Sequence, residues 1–557
     1  MQRWSVALVA MVGLTIACDS RTIYLGASVV TVDAENRIVE ALGIEGDRIG
    51  AVGTEAEVRG WAGAGARVRE LAGEAIVPGF IDAHGHFPGD GIWATVADLN
   101  PPPIGDLETM DELIARMRLQ ASGSAGDDWV VGMGYDDTLL REARHPTRAD
   151  LDRASSDQPL VAIHISGHLA AVNSRALEVL GWDRDTPDPE GGVLRRDAET
   201  GELDGVLEES AMALLQQQVL APGALDGLRI VREAVRRYVA QGVTTAQSGY
   251  TDAGLMRALP WLSRLGVIPI RLVLWPGMEA LDGALAAEKP FRTYDPEWVR
   301  IGAVKLIADG SIQGYTGYLS EPYHVPPGED ASYRGYPRIP RDELIERAKR
   351  YHEAGWQLAI HGNGDASIDD ILDALEAAFA ESPAEDARPI VIHAQMARDD
   401  QLDRMRTLGV IPSFFSLHTY YWGDRHRDLF MGPERAARMS PAASALAKGV
   451  HFTIHCDAPV VPMEPLRLIW AAVNRESSSG QPIGPAERIT PLQALRATTI
   501  DAAYQHFEAD TKGSLEVGKL ADFVVLSGSP LEHPTTIDEI EVLETFVGGK
   551  RVYQADR

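Results

Sequence analysis

The chain has almost no cysteine. Its 557 residues include only Cys18 and Cys456, so no disulfide framework staples it and the interior must hold by packing. It also lacks any Lys/Arg-rich run, because 52 basic residues face 81 acidic ones and the formal net charge is −29. Such a surface repels phosphate backbones, which excludes nucleic acid as a partner. Beyond residue 20 no apolar stretch is long enough to cross a bilayer.

The N-terminus is the exception to that polar texture. "MQRWSVALVAMVGLTIACDS" carries Arg3, an apolar run from Trp4 to Ala17, then Cys18. This is the layout of a bacterial export signal. The small Ala17 before Cys18 resembles a lipoprotein cleavage box. Residues 1–17 are therefore expected to be a signal peptide of lipoprotein type, with Cys18 lipidated. The mature protein is expected on the periplasmic side, touching the membrane only through that N-terminal lipid anchor. The sequence leaves homo-oligomerisation open.

Residues 22–74 read as short β segments, and the far C-terminus, with "GKLADFVVLSG" and "EVLETFVGGKRVYQ", has the same texture. Both ends are expected to build one small β-sandwich from 22–74 and 513–557. Between them, apolar β-branched runs recur at "AIVPGFIDAH", "GVTTAQSG", "IPIRLVLW", "RIGAVKLIADG", "WQLAIHGNGD", "PIVIHAQ", "GVIPSFFSLH" and "HFTIHCDAP". Helical patterns such as "RDELIERAKRYHEAG" and "SIDDILDALEAAFAE" separate most of them. Strands buried on both faces and alternating with helices predict an α/β fold, a TIM-like (β/α)8 barrel over 75–512. The gap from His86 to Val243 is too long for one crossover, so a cap is expected to be inserted after the first strand, at about 88–225.

Polar residues fall at the carboxyl ends of these strands, the barrel face on which active sites form. His84 and His86 close the first strand, two residues apart and so on one side of it. Lys305 lies in "IGAVKLIADG", His361 in "LAIHGNGD", His393 in "VIHAQ" and Asp457 in "IHCDAP". Imidazoles and a carboxylate suit zinc or a similar divalent ion. A buried lysine is poorly placed to stay an ammonium; its neutral amine can add carbon dioxide, and the resulting carbamate has two oxygens that bridge two cations. One ion is then expected on His84, His86 and Asp457 and the other on His361 and His393, with a hydroxide between them.

The blocks "VPGFIDAHGH", "VKLIADGSIQG", "IHGNGD", "IHAQ", "HCDAP" and "KGSLEVGKLADFVVL" resemble the amidohydrolase superfamily, specifically its YtcJ-like branch, which includes N-substituted formamide deformylases. The resemblance spans residues 22–557. It implies hydrolysis of an amide or related C–N bond in a small molecule, with His84, His86, Lys305, His361, His393 and Asp457 as ligands and Asp457 also as proton shuttle. His455 and Cys456 stand where many relatives have serine or glycine, and Ser166 departs in "ISGHLAAVNS". His168, His418 and Trp422 are the candidates for substrate contact. The rival expectations are a lactonase or phosphotriesterase on the same two-metal site, and a catalytically silent binding or regulatory lipoprotein. The superfamily's mononuclear deaminases lack the strand-four lysine.

Overall fold

The computed structural model describes residues 21–556 apart from 124–127, 166–168, 190–191, 210, 213–214, 216–222 and 289–290. The expected signal peptide, Cys18, Ser166 and His168 lie outside the described residues.

Nine short parallel strands form the frame of the site. Phe80–Ile81, Val243–Thr251, Arg271–Pro276 and Val299–Ile301 pair side by side in one sheet. Val304–Ile307, Leu358–Gly362, Ile390–His393, Ile411–Phe414 and Thr453–Ile454 pair in a second. A parallel bridge between Gly277 and Lys305 links the two. Helices follow most strands, among them Leu255–Arg264, Arg341–Glu353, Asp365–Glu381 and Asp399–Leu408. Ile390, Val391 and Ile392, like Leu358, Ala359 and Ile360, are buried. Such two-sided burial selects the unbroken apolar, β-branched runs of the sequence.

Two of the apolar runs divide between sheets. In "RIGAVKLIADG", Val299–Ile301 belongs to the first parallel sheet and Val304–Ile307 to the second. The break falls at Gly302, where a Cβ would lie 2.5 Å from the Trp275 indole nitrogen. In "AIVPGFIDAH", Ala75–Pro78 pairs with Thr22–Val30 and Phe523–Leu526, whereas Phe80–Ile81 pairs with Val243–Thr251. Gly79 is the joint, since a Cβ there would lie 2.2 Å from the Thr244 hydroxyl oxygen.

Segments from before and after the parallel strands meet in one eight-stranded sheet. Its path runs Lys550–Gln554, Val542–Val547, Phe523–Leu526, Ala75–Pro78, Thr22–Val30, Ile38–Glu45 and Arg48–Gly53, with Arg67–Glu70 also beside Thr22–Val30. A buried ion pair fastens this sheet to the parallel strands: Arg271 donates to both Asp522 oxygens, Nε at 2.6 Å and one terminal nitrogen at 3.1 Å. The segment after the first parallel strand folds around a six-stranded sheet of its own, from Ala97–Asp98 to Leu203–Glu209, with its own apolar clusters. It is tied back by Arg425, which donates to Asp136 Oδ2 at 3.1 Å. Among the described residues no helix is long and apolar enough to cross a membrane.

Candidate metal centre

Five of the six residues expected at the centre converge. His84, His86 and Asp457 place ligand atoms within 4.8 Å of one another, and so do His393, His455 and Asp457. Asp457 Oδ1 lies 3.4 Å from His84 Nε2 and 3.3 Å from His86 Nε2, and Oδ2 lies 3.9 Å from His393 Nε2. Lys305 Nζ is 3.1 Å from His84 Nε2. His361 stands beside His393, ring centroids 4.6 Å apart, but belongs to neither convergent group. Its Nδ1 donates to Asp309 Oδ1 at 3.1 Å, and the Asn363 amide nitrogen lies 3.3 Å from its Nε2.

The surroundings fix which nitrogen of each histidine offers a lone pair. Gln247 Oε1 accepts from the Gly85 N–H at 2.8 Å, so the His84 Nδ1 3.2 Å away must carry its ring proton toward that oxygen. His86 Nδ1 donates to the Gly249 carbonyl at 2.8 Å. Both Nε2 atoms then bear lone pairs aimed at Asp457 Oδ1, which is buried and accepts no hydrogen bond among the described residues. Lone pairs on a carboxylate and two neutral imidazoles repel unless a cation sits among them. Outer N–H groups held by carbonyl oxygens are also the usual support of metal-bound histidines. The donor set therefore fits a divalent ion.

Electrostatics agree. Burial lowers the Lys305 ammonium to about 7, opposed only by the Asp457 charge, so much of it is neutral amine near neutral pH. Burial also pushes His84 and His393 well below the ordinary imidazole range and His455 to about 3. Burial would raise Asp457, but the imidazoles of His86, His393 and His84 that face it outweigh that effect, and the carboxyl sits well below its usual range. The backbone is strained at the same place: His393 has φ 69°, Ala394 φ 44° and Asp457 φ 56°. Left-handed conformations at residues other than glycine cost about 1–3 kcal/mol each and persist where the surrounding structure over-determines them.

His418 and Trp422 lie on the helix that follows the strand Ile411–Phe414. His418 is buried, its ring 6.1 Å from that of His393, and its Nδ1 has no hydrogen-bond partner among the described residues. Trp422 packs edge-on to His418 and Phe415. A third group with metal-ligand spacing, Asp136, Asp137 and His164, lies in the inserted segment. Its carboxylates are already engaged by Thr138, Arg425, His145 and His164, so it reads as an ion-paired joint.

Several residues of the centre were not singled out from sequence: Gln247, Asp309 and Asn363, together with His455 as a member of the cluster. A signal existed for His455, which stands two residues before Asp457 just beyond the strand Thr453–Ile454, with the spacing of His84 and His86 beyond Phe80–Ile81. A glutamine within the buried run "GVTTAQSG" was a weaker one.

Parallel strands with a polyhistidine and carboxylate centre at their carboxyl ends define a metal-dependent hydrolase. The chain belongs to the amidohydrolase family, whose sequence model matches residues 67–553. It is 31% identical to an N-substituted formamide deformylase of Arthrobacter pascens over 95% of this chain and 98% of that protein. It is 29% identical to the putative amidohydrolase YtcJ of Bacillus subtilis (strain 168), over 87% and 90% respectively. In fold it resembles an uncharacterised metal-dependent hydrolase of Pyrococcus horikoshii OT3, with a TM-score of 0.75 and 24% identity over 93% of this chain and 99% of that one. The protein is an enzyme, a hydrolase of the class that acts on carbon–nitrogen bonds other than peptide bonds.

Proposed function

We propose that the enzyme hydrolyses an amide-like C–N bond in a small molecule, with N-formyl and N-acyl amines as the substrate class. The observation that carries this reading is the buried, unbonded Asp457 Oδ1 facing the lone pairs of His84 and His86. The likeness to the Arthrobacter deformylase over nearly the whole of both chains supports the substrate class. The two parallel sheets are read as the arcs of one (β/α)8 barrel whose first strand is Phe80–Ile81, capped by about 88–225 and flanked by the terminal sheet that Ala75–Pro78 joins.

His84, His86 and Asp457 would hold one divalent ion, zinc being the best match to the ligand types, and His361 and His393 a second. Lys305, as a neutral amine, could take up carbon dioxide with release of a proton, and its carbamate would then offer two oxygens as further ligands. Bound divalent ions supply Lewis acidity and bring the pKa of a water toward neutrality. Asp457 takes the proton of the attacking water and returns it to the departing nitrogen. His418 and Trp422 form the wall against which the acyl side of the substrate rests. The test is metal analysis of the purified protein, followed by a screen of N-formyl and N-acyl amines beside lactones and phosphotriesters. Chelator-sensitive release of amine is expected. Turnover of lactones or phosphotriesters alone would replace the amide reading, and an active protein free of metal would remove the metal centre.

We further propose export and lipid anchoring through Cys18. Fractionation of the host should place the wild type in the membrane and Cys18→Ser in the soluble extracytoplasmic fraction. A cytosolic location for both, with Met1 retained, would sink the idea.

A further inference from the structure

Behind the centre runs an unbroken line of buried polar side chains for which the proposed reaction has no direct use. Ser413 and Thr453 are opposite one another on neighbouring strands, and Gln505 ends the helix Ile500–Gln505. Gln505, Thr453, Ser413, His455 and His393 are all buried. Successive contacts join them: Gln505 Nε2 to the Ala83 carbonyl at 2.8 Å, Thr453 Oγ1 to Gln505 Oε1 at 2.7 Å and Thr453 Oγ1 to Ser413 Oγ at 2.8 Å. The line continues from Ser413 Oγ to His455 Nδ1 at 3.0 Å and from His455 Nε2 to His393 Nδ1 at 3.2 Å.

The line admits one direction of donation. The Ala83 carbonyl only accepts, so Gln505 must turn its amide nitrogen to Ala83 and its oxygen to Thr453. The opposite orientation would press two carbonyl oxygens together without a proton. A hydroxyl has one proton, and Gln505 Oε1 cannot donate, so Thr453 gives its proton to Gln505. Ser413 must then give its own to Thr453, which leaves the Ser413 oxygen as the acceptor for His455. His455 therefore carries its proton on Nδ1 and has a lone pair at Nε2, which accepts from His393 Nδ1.

We propose that Gln505, Thr453, Ser413 and His455 form a positioning chain that holds the His393 proton on Nδ1 and so turns the His393 Nε2 lone pair toward Asp457. The inference rests on the metal-dependent reading above, since that lone pair is the one a metal would take. None of the four is a catalytic residue; each acts through the next. The chain also explains why a histidine stands at position 455, because serine or glycine there would have no ring nitrogen to receive the His393 proton.

Thr453→Val keeps the shape of the side chain and reverses the line. Ser413 loses its acceptor and donates to His455 Nδ1, the His455 proton moves to Nε2, and His393 must take its own proton on Nε2. Thr453→Ser keeps the hydroxyl and should restore the wild-type direction. The readout is the position of the His393 ring proton in metal-free, 15N-histidine-labelled protein, with the signal assigned by His393→Gln. The wild type and Thr453→Ser should show Nδ1–H, and Thr453→Val should show Nε2–H. The zinc dissociation constant of Thr453→Val should rise by about 10–100-fold, the usual effect of losing an outer partner of a ligand. Should Thr453→Val not fold, Ser413→Ala takes its place; it leaves His455 Nδ1–H without an acceptor and should also shift His393 toward Nε2–H. A wild-type His393 protonated on Nε2, or variants with the wild-type proton position and zinc affinity, would overturn the proposal. If the wild type bound no zinc, the metal reading would fall, and the spectrum would still decide the proton's position.

Discussion

Asp457→Asn should lower turnover by about 10² or more, the usual cost of losing a general acid–base group, while the protein stays folded. The substitution keeps the volume of the side chain. It removes the charge held well below the ordinary carboxylate range and replaces one oxygen with an amide nitrogen that cannot take a proton. His84 and His86 keep their orientation through Gln247 and Gly249, so part of the metal should remain. The measurement is turnover on the best amide found, normalised to metal content. Near-wild-type rates at equal metal content would show that the proton travels another way.

Lys305→Ala should reduce bound metal from about two ions per chain to one or fewer, because the bridge between the sites is lost. Activity should fall with it by about 10² or more, since the water would lose one of its two activating cations. Lys305 is buried, with Nζ 3.1 Å from His84 Nε2, so truncation also opens a cavity. Lys305→Met fills most of that space and separates the two effects: it should keep the fold and still lose metal. Added short carboxylates should restore loading in the alanine variant by standing in for the carbamate. Two ions in Lys305→Met with turnover within a few-fold of wild type would remove the bridge.

Much of this arrangement could be read directly from the sequence. The alternation of apolar runs and helical patterns gave the parallel strands, and the position of each histidine at the end of its run gave the cluster. The two-residue spacing of His84 and His86 recurs in His455 and Asp457, although both pairs stand just beyond their strands, Phe80–Ile81 and Thr453–Ile454, so the strand period does not align them. What sequence could not show depends on contacts between distant segments. Gln247 and Asp309 matter because folding brings them against His84 and His361. The division of "RIGAVKLIADG" between two sheets depends on Trp275 approaching Gly302. His361 was read by position alone, and position did not reveal that Asp309 and Asn363 already face both of its ring nitrogens.

The joint at Gly79 bears on how this protein can change over generations. One residue separates a strand of the terminal sheet from the strand that delivers His84 and His86, and its N–H donates to the Asp522 carbonyl at 3.0 Å. Asp522 in turn holds Arg271. An insertion or deletion between Pro78 and Asp82 would slide the histidines off their register and break the seam with the C-terminal strands. The inserted segment, which folds around a sheet of its own before the helix Ala224–Ala240, takes no part in that terminal sheet. Exchanging that segment whole would leave the seam intact, whereas the strands within 22–78 and 523–554 share one sheet and must be exchanged together.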